Sequence, residues 1–422
     1  MTNEASGGGP GPAARRFRLF LLACAFLPVA LAAHAAPCPQ GKGEREEVPA
    51  LDPYTKGEPE AMAKLGYESF GPFGWGDAHD TDEIVRVLGE IPLLWVETAH
   101  FKIGSSLAPY VLAQDRDEKD KLRAELTRLR KRLPKVKPAA RELDRWLMLH
   151  LYAQRLEELY ADFCRHVGVV DADFTPASAS GGSNGGLGDG PYLGQREKFR
   201  VLLLDKTSGI GRYSGHFLGY EAKYSMRWYF HQTGAMFFGA ASEHLAGTYG
   251  NDTAFHCTVA GGVVHNFVEG FRWYRTQAPL WLAQGCAHYF ARRVDPRYIV
   301  YGGGTWSSGD PSREEWKWEP RVLARVKHEY YPTWEDMFAW SDYDELKMPD
   351  HMFAWSRVQF LLQDAGATQS FLVALKDAPA GADVPPPTVE RQRELVEAAW
   401  GRSLAELDAD WTAFVKNEYR SR

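Results

Sequence analysis

The sequence predicts an α+β fold with a helical C-terminal part. Strand-like and helical segments are mixed through the earlier part of the chain, and helical periodicity dominates its end. The composition, 422 residues with 45% hydrophobic and 25% charged, is ordinary for globular chains. That length suits one large domain or two to three modest ones, with a substantial core that needs no disulfides.

Residues 1–36 have the pattern of a signal peptide. Arg15, Arg16 and Arg18 precede an apolar run from Leu19 to Ala33, and Ala33-His34-Ala35 supplies the small-x-small cleavage pattern. The run falls short of the ~20 residues a spanning helix needs. The expectation is therefore an exported protein, periplasmic or extracellular, with no membrane span after cleavage. Residues 37–90, rich in Pro, Gly and charge, read as a partly irregular extension with a short helical pattern at Asp82–Leu88.

Trp95–Ile103 reads as a first strand. Leu122, Leu126, Leu129 and Leu133 recur at helical spacing up to Pro134. Leu149, Tyr152, Leu156, Leu159 and Phe163 line a longer helix that runs to Gly168, and residues 175–190 are loop by composition. Lys198–Asp205 is a strong strand and Met236–Ala240 a weaker one. Phe255–Phe271 suits a buried helix, and a second helix begins near Leu280. Near the C-terminus, Gly401 closes one helix and the capping box Ser403–Glu406 opens the last.

A net charge of −6 argues against nucleic acid as a partner, because phosphate binding wants a basic face. Beyond the leader the cysteines are Cys38, Cys164, Cys257 and Cys286, with no metal-binding spacing among them. Cys257 and Cys286 fall in neighbouring segments, so a disulfide and buried free thiols both stay open. The 14 tryptophans and 19 tyrosines include clusters at Trp228-Tyr229-Phe230 and Trp273-Tyr274, which serve either a glycan-stacking surface or core packing.

Two segments carry the chemistry, Val263–Gly270 and Ala278–Phe290. His265 and Glu269 share one helix face at i and i+4, and Gln284 and His288 repeat that relation on the next helix. Pro279, Trp281, Leu282, Gly285, Ala287, Tyr289 and Phe290 follow the pattern P-x-W-L-x-E-G-x-A-x-Y-F. In this the chain resembles the gluzincin branch of zinc metallopeptidases, the peptidase MA type, in which that segment follows an HExxH helix. Phe353-Ala-Trp-Ser356, leading to Phe360-Leu361, is similar to a later helix of the family. The resemblance implies a zincin-like core over 91–300, a mixed sheet with an active-site helix pair, and a helical subdomain over 301–422.

The departures fall on the catalytic set. His265 matches the first zinc ligand, Asn266 replaces the general-base glutamate, Glu269 the second histidine and Gln284 the glutamate ligand. Phe353 stands where a tyrosine would stabilise the oxyanion. His288 stands where the family often carries an acidic residue supporting the first histidine, or it joins a rearranged site. Asparagine takes no proton from water, and loss of a positioned base costs roughly 10²–10⁴-fold in rate. Within the chain, His265 is either a residual ligand or a core histidine bonded to Glu269, and Gln284 reads most simply as a buried amide. The expectation is a pseudo-metallopeptidase whose cleft is kept for a protein, peptide or glycan ligand. Zinc binding through His265, Glu269 and either Gln284 or His288, as an atypical hydrolase, is the alternative, and a glycan-binding envelope protein is another.

Overall fold

Five strands pair into one mixed sheet, and helices cover both of its faces. The structure is a computed structural model that describes residues 51–420 apart from 90, 113–114, 175–186, 189, 246–250, 275, 299–313 and 378–384. The expected leader, Cys38 and most of the 175–190 loop lie outside the described residues.

In chain order come α1 (Pro59–Leu65), α2 (Thr81–Val87), β1 (Leu94–Glu97), β2 (Phe101–Ser105), β3 (Tyr110–Val111), α3 (Arg116–Arg130), β4 (Glu142–Leu143) and α4 (Arg145–Val167). There follow β5 (Phe199–Leu204), α5 (Thr207–Phe217), β6 (Met226–Phe230), β7 (Ala235–Ala241), α6 (Asp252–Gly270) and α7 (Leu280–Val294). The C-terminal helices are α8 (Trp318–Lys327), α9 (Trp334–Phe338), α10 (Met348–Leu361), α11 (Ala365–Leu375), α12 (Val389–Trp400) and α13 (Leu404–Glu418). Val48–Arg422 make one compact unit. No helix among the described residues is long and apolar enough to cross a membrane.

The sheet order is β1-β2-β5-β7-β6, parallel at β2-β5 and β5-β7 and antiparallel at both edges. All six residues of β5 are buried, as a central parallel strand covered on both faces requires. Phe199, Val201 and Leu203 join the core beneath α4 and α6, with the Phe199 and Phe267 rings 5.0 Å apart. Leu202 and Leu204 face a second cluster built on Trp75, Ile84, Tyr213 and Phe237. Residues 51–88 are thus a covering layer with two short helices, more ordered than a Pro/Gly-rich composition suggests. Buried Asp52 and His150 lock that layer to α4, with His150 Nε2 3.1 Å from Asp52 Oδ1 and its Nδ1 2.9 Å from the Tyr67 hydroxyl.

The segment read as one strand from Trp95 to Ile103 is a hairpin, β1 turning into β2. The turn is held from outside: Glu157 of α4 accepts from the Thr98 hydroxyl at 2.6 Å and from the His100 amide at 3.0 Å. Local β-propensity carries no trace of that distant carboxylate.

α6 lies close against β7. A Cβ on Gly262 would meet the Phe238 ring at 2.1 Å, so only glycine fits there. α7 crosses α10 at Gly285, where a Cβ would sit 2.4 Å from Val358 Cγ2 and 2.5 Å from the Ala354 carbonyl. Two buried arginines hold the C-terminal helices by stacking between tryptophans. Arg357 lies 4.3 Å from Trp334 and 4.6 Å from Trp411; Arg292 lies 4.3 Å from Trp318 and 4.6 Å from Trp355.

Candidate functional site: a cleft between the edge strand and the helix pair

The side chains singled out in the sequence fall mainly on α6 and α7. Asn251 opens α6 by accepting the Ala254 amide at 2.8 Å, and the helix is then buried on nearly every face. The connection to α7 is clasped by two charged residues. Glu269 accepts from the Ala278 amide at 3.0 Å, and the fully buried Lys376 ammonium donates to the carbonyls of Glu269, at 2.7 Å, and Thr276. Burial pulls the Lys376 ammonium down to about 8. Glu269 is therefore turned to the loop, with its carboxylate 3.9 Å from Lys376, and the bond to His265 that the helical spacing allows is not formed.

His265 instead meets Gln284 and Arg227. Its Nε2 lies 3.0 Å from the Gln284 amide nitrogen, and an Arg227 guanidinium N–H donates to Nδ1. Since Nδ1 accepts, Nε2 carries the proton, and the Gln284 amide satisfies it when its oxygen faces the ring. Burial first, and then the Arg227 charge, hold the His265 imidazole well below its ordinary range, so it is neutral. The helix pair thus brings His265 and Gln284 together across the two helices, whereas the spacing suggests Glu269 as the histidine's partner. The third partner comes from the sheet.

Arg227 reaches the site because β6 alternates. Met226, Trp228 and Phe230 turn to the second cluster, which leaves Arg227 and Tyr229 on the α6 side. The sequence signal for it is an arginine within an otherwise apolar strand, directly before the aromatic triplet Trp228-Tyr229-Phe230.

The other predicted residues separate. Asn266 is buried, and its Oδ1 has no hydrogen-bond partner among the described residues. His288 turns from the cleft to α10, its Nε2 2.9 Å from His351 Nδ1 and its ring edge-on to Trp318. Burial holds both imidazoles low, His351 at about 4. Phe353 is buried edge-on to Trp411, and the tyrosine that lines the cleft is Tyr343, in a short 3-10 turn at Tyr343–Glu345 with no sequence signal. Cys164, Cys257 and Cys286 are buried free thiols, and burial pushes Cys286 to about 12. The aromatic triplet is split by the sheet: Phe230 is buried in the second cluster with Trp228 against it, while Tyr229 packs on Tyr274 at 4.6 Å on the other face.

Above His265 opens a cleft of about 900 Å³, lined by Arg227, Glu269, Gln284, Trp340, Asp342 and Tyr343 among others. The donor set does not suit zinc. In this arrangement one imidazole nitrogen accepts from a cation and the other carries a proton, so neither lone pair is free, and a guanidinium stands beside the ring. No three His, Cys, Asp or Glu side chains among the described residues group as a metal site. A scan of the chain against protein-family models finds no matching family, and a search of curated proteins finds no significant match.

Proposed function

We propose that the chain is an exported, gluzincin-like protein that has given up peptide hydrolysis and keeps its cleft for binding. The observation that carries this reading is the engagement of His265 by Arg227 and Gln284. A catalytic zinc needs imidazole lone pairs and a base on its water. Here the imidazole is occupied, and the residue after it is an asparagine. The mixed sheet with an antiparallel edge strand over a buried helix pair, followed by packed helices, agrees with the scaffold that the Pro279–Phe290 segment resembles.

Metal content tests the reading. The protein, purified without a histidine tag and dialysed against trace zinc, is expected to hold only background metal and to leave peptides uncut. Near-stoichiometric zinc that disappears in His265→Ala would overturn it in favour of an atypical hydrolase. A reconstituted variant tests the scaffold separately. Asn266→Glu, Glu269→His and Gln284→Glu restore the HExxH and glutamate set, and Arg227→Ala removes the competing cation. This variant is expected to gain one zinc per chain. A folded variant that takes up none would mean that positions 265, 269 and 284 do not converge as the scaffold requires.

A further inference from the structure

We infer that Arg227 anchors a site for a small zwitterionic carboxylate, an inference that rests on reading the cleft as retained for binding. The first ground is an imbalance at Arg227. Arg200, Arg292 and Arg357, buried elsewhere, each have a carboxylate partner, in Glu197, Glu319 and Asp408. Arg227 is exposed to the cleft it lines, and among the described residues its hydrogen-bond partner is the neutral imidazole of His265, with no carboxylate in ion-pairing range. Glu269, on the same wall, is turned to the Ala278 amide and Lys376. A guanidinium carries five donors in a planar fork, and one bond to His265 orients that fork while leaving donors over for a ligand. A carboxylate matches the fork in two parallel bonds.

The rest of the lining narrows the class. Asp342 and Asp344 lie on the cleft wall, so its charge is mixed and its balance negative. A doubly charged phosphate is repelled by such a wall, whereas a single carboxylate on Arg227 with an ammonium toward Asp342 and Asp344 is complementary at both ends. Phe338, Trp340, Leu280 and Pro387 supply apolar surface between the two poles. A volume of about 900 Å³ suits a small organic ligand. An α-amino acid or short peptide with a free carboxyl end and an apolar or aromatic side chain fits all three features.

Calorimetric titration of the full chain with Ala-Phe, Ala-Trp and Ala-Leu, each as free acid and as C-terminal amide, tests this. The acids are expected to bind, with the amides and Arg227→Gln each weaker by roughly ten- to a hundredfold, the range for a lost charge-assisted pair. Arg227→Lys keeps the charge without the fork and is expected to fall between. Asp344→Asn, at an exposed position, is expected to narrow the preference for a free amino end over its acetylated form. Thermal melts establish that each variant is folded. Equal binding of acid and amide, binding unchanged in Arg227→Gln, stronger binding of inorganic phosphate, or no binding of any acid up to millimolar concentration would each overturn the inference. Zinc content and peptide cleavage measured on the same samples separate the two claims. Metal-dependent cleavage defeats the binding-cleft reading, whereas metal-free, inactive protein indifferent to the carboxyl end defeats only the assignment of Arg227.

Discussion

His265 sits between a guanidinium and an amide, and its neighbour Asn266 has an acceptor that no donor among the described residues reaches. These two residues predict opposite responses to the same kind of change. Gln284→Leu removes the group that satisfies the buried His265 N–H, and an orphaned buried donor costs about 1–3 kcal/mol. Asn266→Leu deletes an amide whose oxygen is unsatisfied among the described residues and fills similar space, so stability is expected to hold or rise. Urea unfolding of the two single variants checks both, and a large loss in the Asn266 variant would show that its amide has a partner. The helical spacing of His265 and Glu269 was legible in the sequence, but their bond was not formed. Glu269 is taken by the Ala278 amide and Lys376, the latter 107 residues away in the chain. Arg227, which replaced it, comes from 38 residues before His265.

At the scale of elements, the Gly285 crossing decides how closely α7 and α10 approach. Alanine raises helix propensity by up to ~1 kcal/mol over glycine. Here its methyl would meet the Ala354 carbonyl at 2.5 Å, a backbone atom that cannot turn aside. Overpacking of this kind costs about 1–3 kcal/mol, so the clash outweighs the propensity and Gly285→Ala is expected to lower the thermal midpoint. A raised midpoint would mean that the helices separate without loss. The last helix gives a contrast. Ser403 and Glu406 form a capping box on the exposed start of α13, read directly from the sequence, and Ser403→Ala is expected to cost about 1 kcal/mol. The β1–β2 hairpin lay at the opposite extreme, because the carboxylate that bends the chain there belongs to α4.

Across the whole molecule, buried histidines set the response to acid. His256, His265, His288 and His351 are all held below the ordinary imidazole value of 6.5, burial being the first cause in each. Below that value the unfolded chain takes up protons that the folded one refuses, so stability falls as pH drops below about 6.5. His100 opposes this. Burial lowers it, but the bonds and charges of Glu157 and Asp171 outweigh burial and raise it. Its contribution is complete below 6.5 and is lost as pH rises through the raised value. Urea midpoints measured from pH 5 to 8 are expected to fall toward the acid end, and His100→Gln is expected to steepen that fall. A midpoint that rises toward pH 5 would place the buried imidazoles in contact with solvent.

What the sequence by itself determined was the α+β class, several helix ends and the placing of His265 and Gln284 on two successive helices. Each rests on residues a few turns apart, and periodicity, caps and apolar patterning are local in range. Only the tertiary structure decided that Trp75 and Asp52 make the early residues a covering layer. It also turned His288 toward His351 and brought Arg227 across to His265. In each case a buried polar or aromatic group has to be satisfied by whatever the fold sets beside it, and the sequence does not state that neighbour because it lies far along the chain.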